Sequence, residues 1–187
     1  MNKFIIIEGP DNTGKTTLAK FLANQRVKEG KRAIYFHFNR FGELGRAMHD
    51  YQLSVHANLA WCMEYLDTSI ILDRSWPSEV IYGSVIGPRE RMNKFCAQRI
   101  QDEFGEIEPI YVHACAISGL ARHLQDQAHD HVNYSMVEYQ NLCRAYSELF
   151  NNMRKSPSAN VVNYDMDVQG ANLSKVYDQL FNHAELS

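Results

Sequence analysis

The chain opens on Phe4-Ile5-Ile6-Ile7, an unbroken apolar run with the length of a strand buried on both faces. From Thr16 to Val27 the apolar residues Leu18, Phe21, Leu22 and Val27 recur at helical spacing, which predicts a helix. Arg32 to Phe38 reads as a strand and Glu43 to about Leu66 as a long helix. Ser69-Ile70-Ile71-Leu72-Asp73 is a second buried strand, followed by helices over Pro77–Ile86 and Glu90–Phe104. Pro109 to Cys115 reads as a strand, with a helix around Gly119–Leu124 after it. Ser135-x-x-Glu138 has the form of a capping box and opens a helix to Met153, whose apolar stripe includes Tyr139, Leu142, Tyr146 and Phe150. Asn160–Tyr164 is the last strand and Leu173–Phe181 the last helix. Five strands separated by helices, with no linker or repeat, predict an α/β fold in which a parallel sheet is covered on both faces. A single domain over residues 1–187 is expected, with ligands at the carboxyl ends of the strands.

Between the first strand and the first helix stands Gly9-Pro10-Asp11-Asn12-Thr13-Gly14-Lys15-Thr16-Thr17, a full phosphate-binding loop in the strand–loop–helix context that its chemistry requires. Gly9 and Gly14 let the backbone wrap closely around a polyphosphate. The N–H groups from Asn12 to Thr17 and the helix N-terminus supply positive potential. Lys15 is expected to face solvent until a nucleotide arrives and then to reach its β- and γ-phosphates, while the Thr16 hydroxyl binds Mg²⁺. The loop therefore predicts binding of a nucleoside triphosphate with Mg²⁺.

Composition narrows the picture a little further. No segment approaches the roughly 18 consecutive apolar residues of a membrane span, and the chain enters a strand too early to leave room for a signal peptide. Cys62, Cys96, Cys115 and Cys143 form no Cys-x-x-Cys pair and read as thiols of a reducing cytosol, so a cytoplasmic protein is expected. A net charge of -3 gives no bulk signal for nucleic acid. Small-molecule nucleotides are the expected partners; a monomer and a homodimer are both compatible with the chain.

The second constellation is Ser69 to Asp73 followed by Arg74-Ser75-Trp76-Pro77-Ser78 and, further on, Tyr82. An apolar strand ending in aspartate is the pattern of a Walker B element, whose carboxylate helps to hold Mg²⁺. Arg74 beside it would offer a planar, five-donor cation to a transferred phosphoryl group.

Together these segments resemble the thymidylate kinases. The loop is similar to their G-x-D-G-x-G-K-S/T-T, including the aspartate at Asp11. Asp73-Arg74 through Ser78 to Tyr82 is similar to their D-R-Y/H-x-x-S-x-x-A-Y/F, and Arg40-Phe41-Gly42-Glu43-Leu44-Gly45 to their R-x-x-E-I-G turn. The resemblance runs in order over most of the chain. It implies a P-loop kinase fold of five parallel strands in the order 2-3-1-4-5, with an acceptor-binding region at about 39–66 and a short lid at about 122–134. It also implies an ATP- and Mg²⁺-dependent kinase acting on a deoxynucleoside monophosphate, dTMP or a related pyrimidine. Asp11 would touch the acceptor's sugar, Arg40 and Arg74 would grip its phosphate, and Tyr82 would lie against its sugar or base. On the long helix the main apolar stripe is Leu44, Met48, Tyr51, Val55, Leu59 and Cys62, and a second line of Ser54, Asn58, Trp61 and Tyr65 either faces the acceptor base or packs.

The chain departs from the family pattern in three places. Gly83 stands where many members carry a Gln or Asn, no Lys or Arg occurs between Arg122 and Arg144, and the loop has Asn12-Thr13 in place of an arginine. Arg122, with Arg89 or Arg91, is left to meet the charge on the phosphoryl group, and His123, His129 and His131 read as solvated lid residues. A regulatory GTPase is excluded, since Asn93-Lys94-Phe95-Cys96 lacks the guanine-reading aspartate. A non-catalytic nucleotide-binding module would leave Arg40 and Arg74 unexplained. Asp73-Arg74-Ser75 also resembles the Glu-Arg-Ser triplet of deoxynucleoside kinases, so a hydroxyl acceptor, in a deoxynucleoside or a modified pyrimidine of DNA, is the alternative. Such an acceptor needs a carboxylate to take its proton, whereas a phosphate monoester is already an anionic nucleophile.

Overall fold

A computed structural model describes residues 1–38, 46–86, 102, 107–126, 135–157 and 159–182 of the chain. Its strands are β1 (Phe4–Glu8), β2 (Arg32–His37), β3 (Thr68–Asp73), β4 (Ile110–Cys115) and β5 (Asn160–Asp165). Its helices are α1 (Lys15–Lys28), α2 (Arg46–Tyr65), α3 (Trp76–Val85), α4 (Gly119–Asp126), α5 (Met136–Met153), α6 (Met166–Gln169) and α7 (Leu173–Phe181). Apart from Asp102, which is helical, the helix expected over Glu90–Phe104 lies outside the described residues, as does the start of the long helix before Arg46. The short α6 was not legible: four residues carry no period, and what starts it is the Asp165 side chain accepting from the Asp167 N–H. None of the described helices is long and apolar enough to cross a membrane.

All strand pairings are parallel and the sheet order is β2-β3-β1-β4-β5. β1 is therefore central, with Ile7 beside Asp73 on one side and Glu8 beside His113 on the other. Parallel strands end on one edge, so the loop after β1 and the Asp-Arg pair after β3 are brought together by topology alone.

Strand alternation sorts the core into two layers. Ile5, Ile7, Ile71 and Val112 face Leu18 and Leu22 of α1 and Val176 and Leu180 of α7. Phe4, Ile6, Ile70 and Leu72 face Trp76 and Ile81 of α3 and Leu142, Tyr146 and Phe150 of α5. Glu8 has the parity of Phe4 and Ile6 and so points into this second layer, where it is fully buried.

The buried face of α2 differs from expectation. Of the expected stripe, Leu59 is buried while Tyr51, Val55 and Cys62 are half-buried, and Leu44 and the side chain of Met48 lie outside the described residues; among the described side chains of α2 the most enclosed are Gln52 and His56. His56 stacks on Phe38 and Phe4, at ring separations of 5.4 and 6.2 Å, and its Nδ1 bonds the Gln52 carbonyl at 2.7 Å. A polar ring whose nitrogens are satisfied can take a core position, and hydropathy periodicity does not see it.

The capping box of α5 is formed as expected. The Ser135 hydroxyl accepts from the Glu138 N–H at 3.2 Å, and the Glu138 carboxylate accepts from the Ser135 N–H at 2.7 Å. Ser135→Ala is expected to cost about 1 kcal/mol and to lower Tm by roughly 2–4 °C, given the size of the chain. Thermal unfolding followed by circular dichroism checks it; an unchanged Tm would mean that the box contributes nothing.

Candidate active site

The loop after β1 is shaped by close backbone approach. A side chain at Gly9 would run into the carbonyl oxygen of Ala114 on the neighbouring strand, and Gly14 opens α1 with φ of 75°, a left-handed conformation. Asn12 also has positive φ, at 60°. The Thr13 hydroxyl donates to the Pro10 carbonyl at 2.9 Å and closes the turn, while the Asn12 amide nitrogen is buried with no protein acceptor. Thr16 and Thr17 are exposed on the first turn of α1.

Lys15 departs from expectation. It is buried rather than solvent-facing, and its ammonium donates to the Pro10 carbonyl and, at 3.4 Å, reaches the Thr13 hydroxyl. A buried ammonium needs acceptors, and the loop supplies them itself. Burial, with the Arg74 cation nearby, lowers its pKa to about 8 against the pull of Asp11, Asp73 and Glu8.

Thr16 and Asp73 meet as the two motifs imply. The Thr16 hydroxyl donates to Asp73 Oδ2 at 2.5 Å, Tyr35 donates to the same oxygen at 3.3 Å, and His37 Nδ1 lies 2.9 Å from it. Burial works to raise the Asp73 pKa, but the His37 and Thr16 contacts outweigh it and hold the carboxylate below its usual range. Its other oxygen, Oδ1, is buried with no protein donor. An ionised carboxylate with an unfilled oxygen beside a hydroxyl is a set of hard oxygen donors that fits Mg²⁺, which takes one or two carboxylates plus substrate phosphates rather than a protein-only cage. Among the described residues no cluster of three or more His, Cys, Asp or Glu side chains offers such a cage.

Asp11, Arg74 and Tyr82 form the second half of the site. The Arg74 guanidinium pairs with Asp11 Oδ1, lies 5.1 Å from the centre of the Tyr82 ring and reaches the Ser78 hydroxyl at 3.3 Å. The Tyr82 hydroxyl donates to Asp11 Oδ2 at 2.9 Å. Arg74 has φ of 72°, a conformation that costs a non-glycine residue about 1 kcal/mol or more. It is held by its N–H bond to the Ile7 carbonyl at 3.0 Å. Tyr139 of α5 donates to the Asp11 carbonyl at 2.8 Å, tying that helix to the loop.

Other expectations fall elsewhere. Trp61 is not brought to these residues: it is 53 % exposed, stacks on Tyr65 at 5.5 Å, and lies about 140° around α2 from His56. The side chain of α2 that reaches the strand ends is His56, whose Nε2 is 2.8 Å from the Ser75 hydroxyl. Arg122 is paired with Asp167 at 3.1 Å, beside the bonds that Ser118 makes to the same carboxylate. Arg40, Arg89, Arg91, His129 and His131 lie outside the described residues, as does the side chain of His123 and most of the lid at 122–134.

Glu8 was missed. Its carboxylate accepts from the Ser75 N–H at 2.5 Å and the Ser78 hydroxyl at 2.6 Å, with Tyr146 at 3.4 Å. Burial raises its pKa to about 7, against the Ser78 bond and the Arg74 charge. The legible signal was an acid closing an apolar strand at a position whose parity is inward. A cavity of about 330 Å³ opens beside the loop, lined by Pro10, Thr13, Cys115, Leu120, Tyr139 and Cys143 among others.

No protein-family model matches the chain, and no curated protein matches it in sequence. Solved structures do match in fold. YorR from Bacillus subtilis, solved in complex with phosphorylated GDP, is 17 % identical with a TM-score of 0.63, over 95 % of this chain and 92 % of its own. Deoxyadenosine kinase from M. mycoides is 14 % identical in two structures, with TM-scores of 0.54 and 0.56, over 94 % of this chain and 97 % of its own. The chain shares with these structures an α/β fold, here a five-stranded parallel sheet in the order 2-3-1-4-5.

The buried Glu8 makes a pH prediction. An acid whose folded pKa is raised, here from 4.5 to about 7, holds its proton more tightly in the folded chain. Its contribution to stability is full below the lower value and is lost as pH rises through the higher one. Between about pH 4.5 and 7.5 the wild type should lose up to about 3 kcal/mol relative to Glu8→Gln. Urea unfolding at stepped pH measures this; parallel pH dependences for the two proteins would show that Glu8 does not titrate in that range.

Proposed function

We propose that the chain is an ATP- and Mg²⁺-dependent kinase that transfers the γ-phosphoryl group to a deoxynucleoside monophosphate, dTMP or a related pyrimidine. The observation that carries this reading is the Asp11–Arg74–Tyr82 cluster directly beside the Thr16–Asp73 pair. The chain thus has a donor half and an acceptor half on adjoining strand ends. The M. mycoides deoxyadenosine kinase, solved with dCTP and with the products dCMP and dCDP, shares the fold, as does YorR with its bound nucleotide.

On this reading Lys15 turns from the Pro10 carbonyl to the β- and γ-phosphates, and the loop N–H groups and Asn12 line the remaining phosphate oxygens. Mg²⁺, held by Thr16 and Asp73, would neutralise charge on the transferred phosphate. Arg74, with Arg40, holds the acceptor phosphate in line, and Asp11 and Tyr82 hold its sugar. A phosphate oxygen of the acceptor then forms the new P–O bond as the bond to the β-phosphate oxygen breaks, leaving ADP; no base is needed. Arg122, once released from Asp167, supplies the charge that an arginine-rich lid would otherwise bring. The second reading, a hydroxyl acceptor, is favoured by Asp11, a part-exposed carboxylate within the site that could take a proton.

An ADP-release assay over deoxynucleoside monophosphates, deoxynucleosides and DNA separates the two. dTMP or a related pyrimidine monophosphate should turn over and thymidine should be very poor, with Arg40→Ala mainly raising the acceptor KM. Equal turnover of thymidine and dTMP would establish the hydroxyl acceptor instead.

Lys15→Met should lose more than nine-tenths of turnover, corresponding to several kcal/mol of lost transition-state stabilisation, while unfolding stays cooperative because a buried charge has been removed. Retained turnover would overturn the donor assignment. Arg122→Ala should lower kcat far more than it raises the KM for ATP, with His129→Ala nearly silent. The reverse pattern would shift the electrostatic role to the lid histidines.

A further inference from the structure

We infer that Glu8 is a positioning residue of this site: it caps α3 from the neighbouring strand and thereby fixes the guanidinium of Arg74 on the acceptor side. The inference rests on the reading of Arg74 as the acceptor-phosphate ligand.

Three connections carry it. Ser75 is the N-cap of α3, yet its side chain makes no capping bond, because its hydroxyl is engaged by His56 Nε2 at 2.8 Å. Glu8 occupies that place instead. It takes the Ser75 N–H and the Ser78 hydroxyl, and so places acceptor oxygens on the donors that the helix N-terminus leaves open. Second, Arg74 lies between two anchors that both lead back to the end of β1. Its N–H bonds the Ile7 carbonyl, and the next N–H, that of Ser75, bonds Glu8. The left-handed backbone of Arg74 is sustained by these bonds on either side of it. Third, the side chain is tied to the same point, since the Ser78 hydroxyl donates to Glu8 Oε2 and accepts from Arg74 Nη1 at 3.3 Å.

A structural role alone would be met by an apolar residue. The parity of Glu8 is that of Phe4 and Ile6, and its side chain is completely enclosed. Burying a carboxylate there costs several kcal/mol unless it is fully bonded. Its ionisable neighbours are Lys15 and Arg74, with Tyr111 of β4 and Tyr146 of α5 alongside and His56 of α2 one hydroxyl away through Ser75. The cost is met in the stretch of chain that carries Arg74.

The test uses the full chain with Glu8→Gln, which keeps the size and one acceptor oxygen but sets an NH₂ group against the Ser78 hydroxyl. The expected result is a KM for the monophosphate raised about tenfold, the effect of a weakened charged hydrogen bond, with the KM for ATP within twofold of wild type. In an Arg74→Ala background the same change should add little, since the two residues act as one unit. Independently of turnover, the Arg74 Nε–H resonance of the nucleotide-free protein, assigned by its loss in Arg74→Lys, should shift or broaden in Glu8→Gln. An unmoved Arg74 resonance, or a Glu8→Gln effect that adds in full to Arg74→Ala, overturns the inference. If Glu8→Gln does not fold, Ser78→Ala, which removes the link between the carboxylate and the guanidinium, should give the same shifts, and its failure to do so is equally decisive. A wild type inactive on every monophosphate would sink the functional reading alone, because the resonance still reports whether Glu8 fixes Arg74.

Discussion

Four ionisable side chains meet where β1 and β3 end side by side, and the need to satisfy all four out of water is the constraint on which the rest depends. Glu8 and Asp73 are fully enclosed, Lys15 nearly so, and Arg74 is mostly covered. None of these charges could be held out of water alone. The parallel sheet makes the meeting possible by ending both strands on one edge. The polar groups around them, from the Thr16 and Ser78 hydroxyls to the Ser75 N–H, complete the satisfaction that burial demands. The site is thus built into the core layer rather than laid over it.

That arrangement divides the labour of the two cations. Lys15 is turned onto its own loop through the Pro10 carbonyl, an acceptor that a phosphate oxygen can replace, so its contact is exchangeable. Arg74 is held on several sides: by Asp11, by the Tyr82 ring, by Ser78 and by the backbone on either side of it. On the proposed reading, a flexible ammonium suits a group that must follow the donor's phosphates, and a planar fork, pinned in advance, one that must orient an acceptor.

The departures from expectation have a common cause. Trp61 has the composition of a base reader, yet the rotation of α2 that buries Gln52 and His56 carries it to the outer face. Arg122 is the right cation at the right end of the chain, yet Asp167, which arrives from beyond β5, claims it. In both cases the residue type was legible and its placement was not, because contacts with distant segments, those of His56 with Ser75 and the Phe4 and Phe38 rings and that of Arg122 with Asp167, set it.

The phosphate loop, the aspartate ending β3 and the five alternating strand–helix units are local matters of spacing and period, so the amino-acid sequence by itself determined them. The sheet order followed only through a family resemblance, and the fold bore it out. Tertiary structure alone decided which side chains face one another across the strand ends. Glu8 is an ordinary acid in the sequence and becomes a helix cap only because β1 lies next to β3. His56 reads as a polar residue on a long helix and becomes core because Ser75 and two aromatic rings enclose it. The physical reason is the same for both: a buried polar group is defined by its partners, and partners distant in sequence leave no periodic trace.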